Sequence, residues 1–219
     1  MALQARAEAT RRKILDSAVE LFAERGYGET GLADVLQRAG VSKGAFYYHF
    51  DSKEAVATAI IEEFSGKTRT LVLDQLDRAA PELEGVIRST FIAAALISSE
   101  SAARVGHELL QALRQISTVA SQTYRDWTED FVGVIARTIE PWAKDRGVDA
   151  NDVAEGIWMG VLGCHLLSTA LNDDHFARLS RSWKLVVRSL APVDEVDAYL
   201  AMIDDIATSY TATSYTATV

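Results

Sequence analysis

Apolar residues recur along this chain with the 3.6-residue period of a helix almost throughout, and β-branched alternation is scarce. From Thr10 the set Ile14, Ala18, Leu21 and Phe22 keeps helical spacing, and Arg25-Gly26 is expected to end that helix, because glycine tolerates the left-handed conformation found at helix ends. A short helix follows from Thr30 to about Ala39, turning Leu32, Val35 and Leu36 inward, with Gly40 as its stop. The next helix, Lys43 to about His49, is barely two turns long and could not hold alone, so Phe46 and Phe50 are expected to anchor it. Ser42 has the right chemistry to cap it, its hydroxyl accepting a free first-turn N–H. Asp51 or Ser52 should cap a longer helix that runs into the 70s through Ala55, Ala59, Ile60, Phe64 and Leu71.

Beyond that point Pro81 suits a helix start, and Leu83 to Leu96 continues as an apolar helix. Ser98 to Ala102 is a soft boundary. Helices are expected from His107 to Ile116 and from about Thr118 to Trp142, with a turn at Arg146-Gly147-Val148-Asp149. Asn151 or Asp152 should cap a low-charge helix reaching Leu171, and amphipathic helices should follow from Asp174 to Leu190 and from Asp194 to Ala207, separated by Pro192. The end repeats Ser-Tyr-Thr-Ala-Thr from Ser209 and again from Ser214, without charge, and is expected to be disordered. The predicted fold class is all-α: a three-helix N-terminal domain over residues 1–53, a larger helical domain over 54–208, and a tail over 209–219.

The chain has 219 residues, long enough to bury a core, with an ordinary globular balance of 48% hydrophobic and 24% charged residues. No apolar run of the roughly 18 to 20 uncharged residues that span a membrane is expected, and the charged start MALQARAEATRRK has no secretory apolar core. The single cysteine, Cys164, excludes an intrachain disulfide and fits a reducing cytoplasm. The net charge of −9 argues against a nucleic-acid partner until it is divided. Residues 1–53 hold eight Lys or Arg and seven Asp or Glu, whereas the remainder hold 14 and 24. The acidity lies outside the N-terminal domain, where it would repel DNA from the wrong face.

Three small helices with a glycine turn before the last form the helix-turn-helix pattern, whose second helix enters the major groove. Lys43 can reach a phosphate or a guanine edge, Gly44 and Ala45 permit close approach beside Ser42, and Tyr47, Tyr48 and His49 supply hydroxyl and imidazole groups. Lys53 opens the following helix near the backbone. The bland alternative packs Tyr47, Tyr48 and His49 into a core, yet three consecutive residues turned about 100° apart cannot all face inward. Catalysis finds little support. Cys164 and His165 are adjacent on a helix and point apart, the four histidines show no i,i+4 metal pair, and no phosphate loop follows a strand. Neither a metal nor a cofactor is expected.

Residues from Thr10 to about Ile60 resemble the N-terminal domain of TetR-family transcriptional repressors. The resemblance is carried by Ile14-Leu15-Asp16-Ser17-Ala18, Leu21-Phe22, Gly26-Tyr27, Ala39-Gly40-Val41-Ser42-Lys43-Gly44, Tyr47-Tyr48-His49-Phe50 and Ser52-Lys53-Glu54. It implies an all-helical homodimer on a palindromic double-stranded DNA operator, with a ligand-binding domain behind the reader. It further implies that Lys43, Tyr47, Tyr48, His49 and Lys53 touch DNA and that the Thr30 hydroxyl meets phosphate. Gly31 departs from the family's usual Thr or Ser, which should loosen the second helix's start and remove one phosphate contact. Arg125-Asp126-Trp127, Gly156-Ile157-Trp158-Met159-Gly160-Val161, and Arg181-Ser182-Trp183-Lys184 with Leu190-Ala191-Pro192 resemble the γ-butyrolactone receptor branch. That implies release from DNA by a small hydrophobic lactone, furan or butenolide signal. Trp127 would line the pocket, although an aromatic on a helical stripe is more often core. Phe131, Tyr124, His107, Leu110, Gln111, Trp158 and Val161 are lesser candidates.

Gly156, Gly160 and Gly163 share a helix face, each costing roughly 1 kcal/mol relative to alanine, and close approach of another helix would offset this. Family members dimerise through a four-helix bundle, so Asn151–Leu171 and Asp174–Leu190, including Trp183, are assigned to a subunit interface; close packing within one subunit is the alternative. Two other readings remain: a regulator of efflux or metabolism sensing an unrelated hydrophobic ligand, and a ligand-free regulator acting through heterodimers.

Overall fold

The computed structural model describes residues 2–78 and 83–216, and the described residues are helical with no strand. Among the described residues ten helices follow in order: α1 Ala2–Arg25, α2 Leu32–Ala39, α3 Lys43–His49, α4 Lys53–Arg78, α5 Leu83–Ser99, α6 Ser101–Leu113, α7 Thr118–Asp145, α8 Ala150–Leu171, α9 His175–Leu190 and α10 Val196–Thr216. The all-α fold expected from periodicity is what the chain adopts. Pro81, read as a helix start, lies outside the described residues.

The boundaries differ where local chemistry overrides the apolar pattern. Helix α1 starts eight residues before Thr10, because Ala-Leu-Gln-Ala-Arg-Ala-Glu-Ala consists of strong helix formers; the Thr10 hydroxyl donates to the Arg6 carbonyl inside the helix at 3.0 Å. Helix α8 is capped by Asp149, whose Oδ1 accepts from Asn151 N at 2.7 Å and Asp152 N at 3.2 Å. The expected caps, Asn151 and Asp152, therefore stand in its first turn. The tail expected to be disordered from Ser209 stays helical to Thr216. Ile203 and Ile206 are buried and Tyr210 stacks on Phe176 at 5.3 Å, so the helix propagates from a packed nucleus. Residues 217–219 lie outside the description.

The chain divides into two compact units, one of residues 1–67 with 97–124, the other of 68–96 with 125–219. The first unit is thus larger than the three helices read from the sequence, since it takes in the front of α4 and all of α6. Its core joins Ile14, Leu15, Ala18 and Phe22 of α1 to Val35, Phe46, Ile60, Ile61 and Phe64, with Val105, Leu109 and Leu110 of α6, all buried. At Gly106 a Cβ would lie 2.4 Å from the Cβ of Phe64, so α6 crosses α4 at a distance only glycine permits.

The second unit has its own core of α5, α7, α8, α9 and α10 around Ile87, Phe91, Ile135, Ile139, Ile157, Leu179, Val187 and Ile203. Trp183 belongs there, 1% exposed, its indole N–H donating to Thr90 Oγ1 at 2.9 Å. This corrects its assignment to a subunit interface: a buried indole needs a hydrogen-bond acceptor, and Thr90 supplies one inside the chain. Helix α8 also corrects the expectation about apolar runs. Its 22 residues include a window of mean hydropathy 1.2 with almost no charge, long and apolar enough to cross a membrane. Glu155 is the one charged residue between Val153 and Leu171, and serine, threonine and histidine had disguised the run. A helix of a packed core or subunit interface reaches the same value.

Candidate nucleic-acid interface

The reader is assembled from the inside out. Phe46 is fully buried and Phe50 nearly so, their ring centroids 6.0 Å apart, and these two residues hold the seven-residue α3 on its neighbours. Ser42 Oγ accepts from Ala45 N at 3.2 Å, the cap expected from the sequence. Ser52 Oγ accepts from Ala55 N at 3.1 Å and resolves the choice of α4 cap in its favour. Gly40 adopts φ 63° and ψ 34° as the C-terminal stop of α2. Arg38 grips α1, donating to Glu24 Oε1 and Oε2 at 2.9 and 2.8 Å and to Glu20 Oε2 at 3.1 Å. These bonds raise the Arg38 pKa and lower that of Glu24.

With the inner face fixed, the outer face of α3 presents Ser42, Lys43, Gly44, Tyr47 and Tyr48, all exposed, with Ala45 and His49 half-buried. Tyr48 is 78% exposed and Tyr47 46%, so the core-packing alternative fails for both. Tyr47 packs edge-on against Phe46 at 5.6 Å and carries the Lys43 ammonium 5.9 Å above its ring. His49 meets Tyr48 edge-on at 4.9 Å. A cation, two phenols, an imidazole and a bare glycine on one stripe can donate to phosphate oxygens and base edges with the backbone close by.

Two expected contacts are engaged elsewhere. The Thr30 side chain is 1% exposed and its hydroxyl donates to the Gly26 carbonyl at 2.9 Å, so it closes the loop after α1 instead of offering itself to phosphate. The Lys53 ammonium donates to the carbonyls of Tyr27 and Thr30 at 2.8 and 2.6 Å and sits 4.1 Å above the Tyr27 ring. Burial of that phenol pushes the Tyr27 pKa up. Lys53 is therefore a clamp joining α4 to the α1–α2 loop, because carbonyls ending a helix and a turn are strong local acceptors for a cation. Gly31 also behaves otherwise than expected. Asp34 Oδ2 accepts from Gly31 N at 2.8 Å and ties down the start of α2, and a Cβ at residue 31 would lie 3.1 Å from that oxygen.

The residues assigned to a ligand divide between the units. His107 and Leu110 are buried in the first, His107 edge-on to Phe64 at 5.9 Å. Gln111 and Tyr124 are half-buried there, with the Arg114 guanidinium 5.9 Å from the Tyr124 ring. In the second unit Phe131 stacks on Trp158 at 4.6 Å with planes 7° apart, and Trp127 meets Phe131 edge-on at 6.5 Å. Val161 packs on the edge of that unit's core. Trp158 donates its indole N–H to Thr128 Oγ1 at 3.3 Å, and its side chain is nearly fully buried.

Of the three glycines expected at an interface, a Cβ at Gly156 or Gly163 would meet nothing within 4 Å, while one at Gly160 would lie 3.2 Å from Ser182 Oγ. Packing within one subunit thus accounts for Gly160 alone. Around them α8 exposes Met159, Leu166, Leu167 and Leu171, and α9 exposes Leu185. Sequence reasoning missed the Arg38 grip and the Gly106 crossing; a glycine inside an otherwise regular helix was the available signal for the second.

A two-turn helix held by buried phenylalanines, with polar and aromatic groups turned outward beside a capped turn, defines a helix-turn-helix protein. Residues 14–60 match the family model "Bacterial regulatory proteins, tetR family". The chain is 31% identical to the "A-factor receptor protein" of Streptomyces griseus over 87% of its own length and 67% of that protein. It is 33% identical to the "HTH-type transcriptional repressor KstR2" of Rhodococcus jostii, over 64% and 71% respectively. A solved "gamma-butyrolactone receptor (ArpA-like protein)" superposes with TM-score 0.73 at 28% identity, covering 93% of this chain and 99% of that one. CprB of Streptomyces coelicolor, solved "in complex with its biological operator sequence", gives 0.69 at 28%, with the same coverage. The chain belongs to the tetR family of bacterial regulatory proteins, a family of transcriptional repressors and not of enzymes.

Proposed function

We propose that this protein is a cytoplasmic, ligand-responsive repressor that binds a palindromic operator as a homodimer and leaves it on binding a small signal of γ-butyrolactone, furan or butenolide type. The observation that carries the reading is the outward stripe of α3 with Lys43, Tyr47 and Tyr48 exposed on an inner face already satisfied. Exposing two adjacent tyrosines is costly without a partner, and a DNA groove accommodates both their hydroxyls and their rings. Ser42, Gly44, Ala45 and His49 complete the contact surface, while Thr30 and Lys53 hold the unit in shape.

The homodimer is supported by the uncovered face of α8. Gly156 and Gly163, with Met159, Leu166 and Leu171, form an apolar helix surface that the chain itself leaves open, and large exposed apolar patches mark interaction sites. Two copies would place two α3 helices in successive major grooves, so half-sites follow the helical repeat of DNA. The signal is assigned to Trp127, Phe131, Trp158 and Val161 of the second unit. The likeness to γ-butyrolactone receptors over nearly the whole chain supports that ligand class. Release follows only if the signal binds the DNA-free conformation more tightly than the DNA-bound one.

The test uses an operator selected from random DNA. Lys43→Ala and Tyr47→Ala should each lose specific binding while the protein remains a folded dimer; unchanged binding by both rejects the interface. Trp127→Ala should bind the operator normally and no longer release it with butyrolactone, and normal release would show that the signal sits elsewhere.

A further inference from the structure

One cavity in the first unit is lined by none of the reader-stripe residues and by none of those assigned to the signal. It has a volume of about 130 Å³ and is walled by α1, α4 and α6. Its floor is apolar: Leu15, Ile60, Phe64 and Ala103, each at most 4% exposed. Its mouth is crossed by two ion pairs joining different helices. Arg12 Nη1 of α1 reaches Glu63 Oε1 of α4 at 2.5 Å, and Lys67 of α4 pairs with Glu100 at the N-cap of α6. All four charged side chains are about half-exposed.

Size and charge order together define what would fit. An apolar cavity of about 150 Å³ is enough to hold benzene, so the floor takes one small ring or a branched aliphatic group. The rim alternates in sign, and Glu63 and Lys67 stand one turn apart on α4, adjacent along one helix edge. An occupant with a single charge would break one pair: Arg12 would keep Asp16, at 2.8 Å from its Nε, but Glu63, Lys67 or Glu100 would lose the one ion pair it makes among the described residues. A molecule carrying both an ammonium and a carboxylate can insert between the pairs and give each rim charge an opposite neighbour. We propose that this cavity is a second small-molecule site, taking a free α-amino acid with an aromatic or branched apolar side chain. Phe64 forms part of its floor and also touches Gly106 and His107 of α6. Occupancy therefore bears on the α4–α6 crossing that holds the reader unit together, and gives operator affinity an input separate from the signal.

The experiment is calorimetric titration of the purified full-length protein, without DNA, with L-phenylalanine, L-leucine, glycine, phenylacetate and phenethylamine. Phenylalanine or leucine should bind and the other three should bind at least about tenfold more weakly. Lys67→Met combined with Glu100→Gln, both at half-exposed positions, should weaken binding by about two- to fivefold, the worth of one exposed ion pair, with an unchanged circular dichroism spectrum. Ala103→Leu, which fills the floor, should abolish it if the variant folds. No binding of either amino acid, equal binding of glycine or phenylacetate, or full binding by the Lys67/Glu100 variant would overturn the proposal. None of these outcomes depends on operator recognition.

Discussion

The crossing of α6 over α4 makes a sharp prediction for Gly106→Ala. The added Cβ would sit 2.4 Å from Phe64 Cβ and 2.7 Å from Cγ, where carbon atoms ordinarily rest about 3.5–4.0 Å apart. Rotating Phe64 cannot relieve the closest contact, because its Cβ is fixed to the α4 backbone and the ring is buried. One helix must therefore retreat by about 1 Å, and overpacking of this kind costs about 1–3 kcal/mol. Alanine's helix propensity returns up to about 1 kcal/mol, and the rigid geometry places the cost in the upper part of its range. The net expectation is a loss of about 1–2 kcal/mol, or about 3–6 °C in Tm for a chain of this size. Urea unfolding followed by circular dichroism at 222 nm measures it. A variant as stable as the parent, or more stable, would show that propensity wins and that the two helices are not held at glycine distance.

Two further outcomes separate scaffold from surface. Lys53→Met should cost about 1–2 kcal/mol in a urea titration, since it removes two charge-assisted hydrogen bonds, whereas Lys43→Ala should stay within about 0.5 kcal/mol; the reverse order would restore Lys53 as a surface contact. His175, the first residue of α9, is held neutral by burial and by neighbouring His165, its pKa lowered to about 4 against the partial opposition of Asp174 and Asp173. A depressed histidine gives stability that is complete above about pH 6.5 and lost as pH falls towards 4, because the unfolded chain takes up the proton first. Its share is about 1–3 kcal/mol after allowance for partial exposure, and His175→Asn should flatten the pH dependence of the urea midpoint across that window.

The reader was legible in the sequence because its determinants are local. Ser42 caps one turn, Gly40 turns left-handed at one residue, and Phe46 with the adjoining Phe50 supplies the large buried groups that hold a helix too short to stand without them. Thr30 and Lys53 were misplaced because their partners, the carbonyls of Gly26, Tyr27 and Thr30 itself, belong to a loop whose path no periodicity reveals. Trp183 was misplaced for a related reason. Its partner Thr90 lies 93 residues away, and a tryptophan on an amphipathic stripe looks the same whether it faces its own core or another subunit. The division of the chain was hidden as well: α6 joins the first unit through Gly106, a contact between residues some forty positions apart.

The two faces of α3 are nearly separate, joined only by the edge contact of Tyr47 on the Phe46 ring. Everything that keeps the helix in place, Phe46, Phe50 and the Ser42 cap, points inward or along the backbone, while Lys43, Gly44, Tyr47 and Tyr48 enter no buried cluster. Fold stability and sequence preference can therefore drift separately. A library varied only at those four outward positions should contain mostly well-folded proteins with new DNA preferences, and a lineage could acquire a different set of controlled promoters without passing through an unstable ancestor.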